Sequence, residues 1–94
     1  RDFIYIDDVV TAIILAMNSS ESNTYNIANG TGTSIIDLAK IMIVLSGKSL
    51  DIIFKPERDG DILSSMSDIT LAKTNLRFIP KISLKKGLSQ FLLL

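Results

Sequence analysis

The sequence predicts an α/β fold in which short parallel strands alternate with helices. Short runs of β-branched and aromatic residues at 3–6, 25–28 and 50–54 are typical of strands. Between them lie two segments with apolar residues at helical spacing, at about 8–18 and 35–46. Because strands separated by helices pair in parallel through crossover connections, the order β-α-β-α-β predicts a parallel sheet.

The first strand, Phe3 to Ile6, is followed directly by the first predicted helix. Asp7 and Asp8 occupy positions that are typical of a helix N-cap, where their charge also favours the helix dipole. The helix then carries apolar residues at helical spacing: Val9, Ala12, Ile13, Ala16 and Met17. A second strand at 25–28 leads into a glycine-containing loop.

The second helix has clear start and stop signals. Thr33 or Ser34 is expected to cap it, and Gly47 is expected to end it in a left-handed conformation. Its main buried face is expected to contain Ile35, Leu38, Ala39, Met42 and Leu45. Because Ile36, Ile43 and Val44 lie off that stripe, the helix is expected to need cover on two sides.

The last part of the chain predicts one more strand and two further helices. The strand at 50–54 ends before Pro56, Asp68 is expected to cap a helix at about 69–76, and Ser83 a final helix. The apolar face of that final helix is Leu84, Leu88, Phe91 and Leu92. Since three strands are few for a parallel sheet, residues 1–94 are predicted to form a single domain with an incomplete sheet.

Composition excludes several classes of function. The chain has no Cys and no His, which excludes disulfide scaffolds and thiol catalysis and removes the commonest metal ligand, so no metal site is predicted. Ten basic residues balance ten acidic ones, which makes nucleic-acid binding a poor prediction. No apolar run approaches the roughly 18–20 residues of a membrane span. We therefore expect a cytoplasmic protein without a membrane partner.

Two loops carry chemistry that suits an anion. Gly30-x-Gly32 resembles the start of a dinucleotide-binding loop, but Ile35 stands where the third glycine would fall, which favours a tight turn instead. Arg58 offers a fork of donors to a phosphate, and Asp61 can accept hydrogen bonds from sugar hydroxyls. An exposed charged turn is the alternative for residues 58–61. Arg1, at the head of a strand, can point into a cleft.

The residues offer no catalytic machinery. A Tyr-x-x-x-Lys pair would place a phenol and its activating ammonium on one helical face, but neither Tyr5 nor Tyr25 has Lys four residues later. We therefore predict no catalytic residue in this chain.

The motifs occur in an order that resembles the C-terminal portion of the NAD-dependent epimerase/dehydratase family, the extended short-chain dehydrogenases. Within the family the pattern is most similar to that of the UDP-glucose 4-epimerases. The resemblance covers essentially the whole chain and rests on residues 1–9, 25–30, 33–35, 47–48, 58–61, 67–68 with Lys73, and 80–88. It implies the C-terminal, substrate-binding part of a Rossmann-type fold whose NAD-binding domain lies upstream.

The resemblance also implies a nucleotide-sugar site. Residues matching Arg1 and Arg58 hold the diphosphate of the sugar nucleotide in such enzymes, the aromatic matching Phe3 lines the nucleotide pocket, and the residue matching Asp61 reaches the ribose. The implied parent enzyme oxidises the sugar at C4 with bound NAD and returns the hydride to the opposite face. The expected ligand is a UDP-sugar, and this chain alone is expected to bind no NAD.

Other functions remain open at the level of sequence. A dehydratase or decarboxylase of the same family would share most of these motifs. A non-catalytic binding or assembly module is a third possibility. The twin apolar faces of the second helix and an unpaired strand edge further predict a homodimer or higher oligomer.

Overall fold

A computed structural model describes residues 1–92 and contains four helices. They are α1 (Ile6–Met17), α2 (Ile35–Ser46), α3 (Thr70–Leu76) and α4 (Leu84–Leu92). The chain between the helices is extended or forms turns, and no strand occurs within the described residues.

Three of the predicted helix boundaries are confirmed because a local signal defines each of them. The Ser34 hydroxyl accepts the backbone N–H of Asp37 at 3.0 Å and caps α2. Gly47 ends α2 with a φ of +68°, in the left-handed region that glycine adopts without strain. The Ser83 hydroxyl accepts the N–H of Lys86 at 3.2 Å and begins α4.

The prediction that Asp7 and Asp8 cap α1 is wrong. The N-cap is Tyr5, whose carbonyl accepts the N–H groups of Asp8 at 3.0 Å and Val9 at 3.3 Å. Both aspartates therefore lie within the first turn of the helix. Asp7 is exposed there, whereas Asp8 is buried.

The N-cap of α3 is Ile69, one residue after the predicted Asp68, but Asp68 still bonds to the first turn of the helix. The Asp68 carboxylate accepts the backbone N–H of Thr70 at 2.9 Å, and the Thr70 hydroxyl donates to the same oxygen, Oδ1. At the other end the N–H groups of Arg77 and Phe78 both donate to the carbonyl of Ala72. Arg77 has a φ of +55°, a left-handed conformation in which glycine is usual.

The predicted parallel sheet is not found in residues 1–92. The backbone N–H and C=O groups of a helix form hydrogen bonds within the helix, whereas those of a strand need a neighbouring strand. The three segments predicted as strands form few such hydrogen bonds with one another. Arg1 and Thr33 form two main-chain hydrogen bonds with each other: Arg1 N donates to Thr33 O at 3.0 Å, and Thr33 N donates to Arg1 O at 2.8 Å. Reciprocal exchange between two residues is the antiparallel pattern, not the parallel one.

The core is small and lies between α1 and α3. It consists of Ala12, Ala72, Leu76 and Phe78, and Phe78 is fully buried. Helix α2 packs against α4 instead. The predicted buried face of α2 is wrong, since none of its residues is buried and Ile35 is 61% exposed.

The molecule is an open slab with extents of 50 × 33 × 17 Å. Its radius of gyration is 16.0 Å, whereas about 12 Å is expected for a compact chain of this length. Its accessible surface is 7447 Å², whereas about 5,400 Å² is expected for a monomer of this mass. The difference of about 2,000 Å² is as large as a substantial protein interface.

Much of that additional surface is apolar. One side of α1 presents an exposed row that we call the α1 stripe: Ile6, Val10, Ile13, Ile14 and Met17. These residues follow helical spacing, so α1 has one face on the core and a second apolar face directed away from it. Neither α1 nor any other helix within residues 1–92 has the length and apolar character to cross a membrane.

Candidate functional site

The charged turn at 58–61 places an arginine and a carboxylate side by side. The N–H of Asp61 donates to the carbonyl of Arg58 at 3.2 Å, and Gly60 supplies the positive φ of +84° at the third position. The Nε of Arg58 lies 3.3 Å from Oδ2 of Asp61. The Arg58 side chain is 87% exposed, so most of its guanidinium faces solvent.

The pairing of these two side chains leaves Arg58 able to bind an anion. Arginine has five N–H donors, and the contact with Asp61 engages one of them. An exposed ion pair contributes about 0–1 kcal/mol, so a phosphate competes with it readily. The turn therefore has the groups to bind a phosphate at the guanidinium of Arg58 and a hydroxyl at the carboxylate of Asp61.

The segment containing Arg1 and Phe3 lies against the loop that follows Ala28. Besides the paired bonds between Arg1 and Thr33, the Asp2 carboxylate accepts the N–H of Asn29 at 2.8 Å and of Gly30 at 3.0 Å. Arg1 is exposed, whereas Phe3 is half-buried.

Phe3 lines an apolar cavity of about 280 Å³ between α2 and α4. The lining includes Tyr5 and Ser83 together with side chains from the facing helices: Leu38, Met42, Leu84, Leu88 and Phe91. Sequence reasoning assigned apolar faces to both helices but did not predict this cavity. The missing information is that α2 and α4 face each other, a contact between segments distant in sequence.

The structure brings together only some of the predicted site residues. Arg58 and Asp61 form one group, and Arg1 and Phe3 lie on a second segment. Neither member of the first group lines the cavity at Phe3, and within residues 1–92 no hydrogen bond joins the two groups.

The Gly30-x-Gly32 loop packs closely against other parts of the chain. The N–H groups of Asn29 and Gly30 already donate to Asp2. A methyl group added to Gly30 would lie 3.1 Å from the Ile69 side chain, and one added to Gly32 would lie 2.8 Å from the sulfur of Met66. These glycines therefore allow close packing inside the chain, and two of the N–H groups of the loop bond to Asp2.

A buried carboxylate that sequence reasoning assigned to a helix cap holds two distant segments together. Asp8 is 4% exposed. Its Oδ1 and Oδ2 both lie 3.1 Å from the backbone N of Lys81, and Oδ2 accepts the N–H of Ile82 at 3.0 Å. Asp8 thus fixes the segment before α4, which contributes Ile82 and Ser83 to the cavity wall.

The other acidic groups show little sign of a functional site. Hydrogen bonds from the Thr70 hydroxyl and then its backbone N–H lower the pKa of Asp68 below its ordinary value, and Lys73 adds a smaller effect in the same direction. Asp68 is exposed, so these bonds serve the start of α3. In residues 1–92 no three acidic side chains cluster in a way that could hold a metal ion.

Comparison with known proteins identifies the family. Residues 1–28 match the model of the NAD dependent epimerase/dehydratase family. The dTDP-L-rhamnose 4-epimerase of Burkholderia thailandensis is 34% identical over 92 residues, which cover 96% of this chain and 25% of the relative. Over nearly its whole length the chain is similar to members of the NAD-dependent epimerase/dehydratase family. The resemblance noted in the sequence is thereby confirmed.

Family members with other reactions are similar to nearly the same degree. UDP-glucuronic acid decarboxylase 1 of Arabidopsis thaliana is 32% identical over 88 residues, which cover 94% of this chain and 20% of the relative. The relatives are thus nucleotide-sugar epimerases and decarboxylases. The chain spans a quarter or less of the length of these two proteins.

Part of a solved epimerase structure has the same backbone arrangement as this chain. The UDP-glucose 4-epimerase of Thermotoga maritima, crystallised with UDP-glucose, superposes with a TM-score of 0.89 at 40% identity. The superposition covers 95% of this chain and 29% of the enzyme. The helical slab therefore has the backbone arrangement of part of an extended short-chain dehydrogenase epimerase, although the strands predicted for it are not formed within residues 1–92.

Proposed function

We propose that this chain is the nucleotide-sugar-binding part of an NAD-dependent epimerase similar to UDP-glucose 4-epimerase. The observation that carries the proposal is the close superposition on an epimerase crystallised with UDP-glucose. The substrate class that we propose is accordingly a UDP-sugar.

In this proposal Arg1 and Arg58 hold the diphosphate, Phe3 lines the nucleotide pocket, and Asp61 contacts the ribose. The exposed guanidinium of Arg58, three residues from a carboxylate on one turn, supports the pairing of a phosphate contact with a hydroxyl contact. The half-buried ring of Phe3 beside an apolar cavity supports a contact with the flat face of a base.

The proposed contribution of this chain is binding rather than hydride chemistry. NAD would supply the hydride transfer in the parent enzyme, and we propose that it is held by a dinucleotide-binding domain outside residues 1–94. The glycine loop whose N–H groups donate to Asp2 supports this division of roles. We expect the 94-residue chain alone to be inactive, and a titration that gives micromolar NAD affinity would contradict this.

A decarboxylase of the same family is the second candidate, and the plant decarboxylase supports it. The two differ in whether carbon dioxide leaves the sugar. An assay of the parent enzyme with UDP-glucose and with UDP-glucuronic acid separates them, since only a decarboxylase releases carbon dioxide from the second. A binding or assembly module would show neither reaction.

We further propose that the chain forms a homodimer or higher oligomer and acts in the cytoplasm. Ile36 and Val44 on α2 are 44% and 74% exposed, and the additional accessible surface is large enough for a stable interface. Association is expected to bury Ile36, Ile43 and Val44. Light scattering at tens of micromolar that reports a stable 10 kDa monomer would contradict this proposal.

Titration of the chain with UDP tests the proposed site. At millimolar UDP we expect the amide resonances of Arg58 and Asp61 to shift in nuclear magnetic resonance spectra. Arg58→Ala should abolish those shifts, because it removes the forked donor of the phosphate. Arg77→Ala is the matched control, since it removes the same charge from a different exposed position. An unchanged titration in Arg58→Ala would show that Arg58 is not the phosphate contact.

A further inference from the structure

The carboxylate of Asp2 connects the segment that carries Arg1 and Phe3 to a loop of the folded chain. Each of its oxygens accepts one backbone N–H, from Asn29 at 2.8 Å and from Gly30 at 3.0 Å. Asp2 and Asn29 are half-buried, so water competes only in part for these bonds. Hydrogen bonds to an ionised acceptor are roughly twice as strong as those between neutral groups.

The loop that Asp2 contacts is itself well anchored. Ala28, directly before it, is 4% exposed, and Ile69 at the start of α3 is equally buried. The α-carbon of Gly30 packs so closely on Ile69 that an added methyl would come within 3.1 Å of it. The two N–H groups are therefore presented by a part of the chain that is fixed on the core.

By contrast, the segment around Phe3 has few attachments of its own. Arg1 pairs with Thr33 on one side, and the carbonyl of Tyr5 begins α1 on the other. Within residues 1–92 no hydrogen bond involves the main chain of Phe3 or Ile4. Ile4 packs on the core and Phe3 lines the cavity, so the hydrogen bonds that hold the backbone here are those on either side of Phe3, and the bonds of Asp2 are adjacent to it.

From this geometry we propose that Asp2 is a positioning residue for nucleotide binding. It holds the backbone between Arg1 and Phe3 so that the guanidinium and the ring face the same ligand. This inference rests on the proposed function, in which those two side chains contact the diphosphate and the base. Asp2 itself does not touch the nucleotide.

The experiment measures the UDP dissociation constant of the wild-type chain, Asp2→Ala, Asp2→Asn and Glu21→Gln. Asp2→Ala removes both acceptors, whereas Asp2→Asn keeps one oxygen and places an amide NH₂ opposite a second donor. Glu21→Gln is the control, because it replaces an exposed carboxylate by an amide outside the helices. We expect the dissociation constant to rise about tenfold in Asp2→Ala, by an intermediate factor in Asp2→Asn, and not at all in Glu21→Gln.

Two further measurements separate positioning from a general loss of stability. The ring resonances of Phe3 in the ligand-free chain should move in Asp2→Ala, while the amide of the fully buried core residue Phe78, which donates to the carbonyl of Ala72, remains protected from hydrogen exchange. In the wild-type chain, UDP should slow exchange of the Gly30 amide, because coupling between two events is reciprocal. This last measurement needs no variant and stays informative even if Asp2→Ala fails to fold.

The outcomes distinguish the two proposals. A wild-type chain that responds to UDP, with an Asp2→Ala chain that binds within twofold of it, overturns the role of Asp2 and leaves the proposed function intact. A wild-type chain without any response to millimolar UDP overturns the proposed function. Unchanged Phe3 resonances in ligand-free Asp2→Ala overturn the positioning role independently of any nucleotide.

Discussion

Replacing Asp8 should destabilise the chain far more than replacing its neighbour Asp7. Asp8 is 4% exposed and accepts the backbone N–H groups of Lys81 and Ile82, more than 70 residues away. Asp8→Ala leaves both donors without a partner. Lys81 is exposed and Ile82 is half-buried, so water partly replaces the carboxylate and each unpaired donor costs about 1–2 kcal/mol. We therefore expect the free energy of unfolding to fall by about 2–4 kcal/mol.

That loss is large relative to the stability of the whole chain. At roughly 0.05–0.15 kcal/mol per residue, a chain of this length has a free energy of unfolding of about 5–14 kcal/mol. Asp8→Asn keeps one carbonyl oxygen and should lose about 1–2 kcal/mol. Asp7→Ala removes an exposed carboxylate from the first turn of α1 and should lose about 0.3–1 kcal/mol through the helix dipole.

Urea unfolding followed by circular dichroism provides the measurement. The midpoints should decrease in the order wild type, Asp7→Ala, Asp8→Asn, Asp8→Ala, with a similar dependence on urea in each case. If Asp8→Ala unfolds within about 1 kcal/mol of Asp7→Ala, the carboxylate does not hold α1 to the segment before α4.

Three further predictions concern the ends of helices. Ser34→Ala removes the cap of α2 and should lower the free energy of unfolding by about 1 kcal/mol in urea; no loss would show that the hydroxyl does not cap α2. Arg77 and Gly47 both have a left-handed backbone, which glycine adopts without strain. Arg77→Gly should therefore raise the free energy of unfolding by about 1 kcal/mol, and Gly47→Ala should lower it by about 1 kcal/mol. Changes of the same sign in the two variants would contradict this explanation. Since the pKa of Asp68 is lowered on folding, its stabilisation is present above the ordinary pKa of 3.8 and is lost as the pH falls through the folded value. Thr70→Val should raise that pKa in a titration by nuclear magnetic resonance, and an unchanged value would exclude the hydroxyl as its main cause.

The helices could be predicted where short-range signals define them. Ser34 and Gly47 bracket α2, and its observed bounds are the predicted ones. Asp8 shows the limit of such reasoning. An aspartate near a helix start is typical of a cap, but its partners Lys81 and Ile82 lie at the far end of the sequence. The spacing of residues around Asp8 therefore could not show that a distant segment buries its carboxylate.

The strands and the candidate site also depend on contacts between residues that are far apart in the sequence. Local propensity marks 25–28 and 50–54 as strands, yet a strand forms only where another strand is available to pair with it. Residue types predicted an anion contact at Arg58 and a hydroxyl contact at Asp61 on one turn, but they did not predict that the two side chains pair with each other. A shared site for Arg1 and Arg58 is implied by family resemblance alone and stays a prediction. The Phe3 cavity depends on the contact between α2 and α4.

The thinness of the slab has a consequence for the response to temperature. The heat capacity of unfolding arises mainly from apolar surface that becomes hydrated when the chain unfolds. In this molecule the α1 stripe and much of α2 are hydrated already, and within residues 1–92 only six apolar residues are buried. The heat capacity change should therefore lie below the roughly 1.1–1.4 kcal/mol/K that is typical for this length. The curve of stability against temperature is then shallow, so the free energy of unfolding changes less with temperature than in a compact domain of this length.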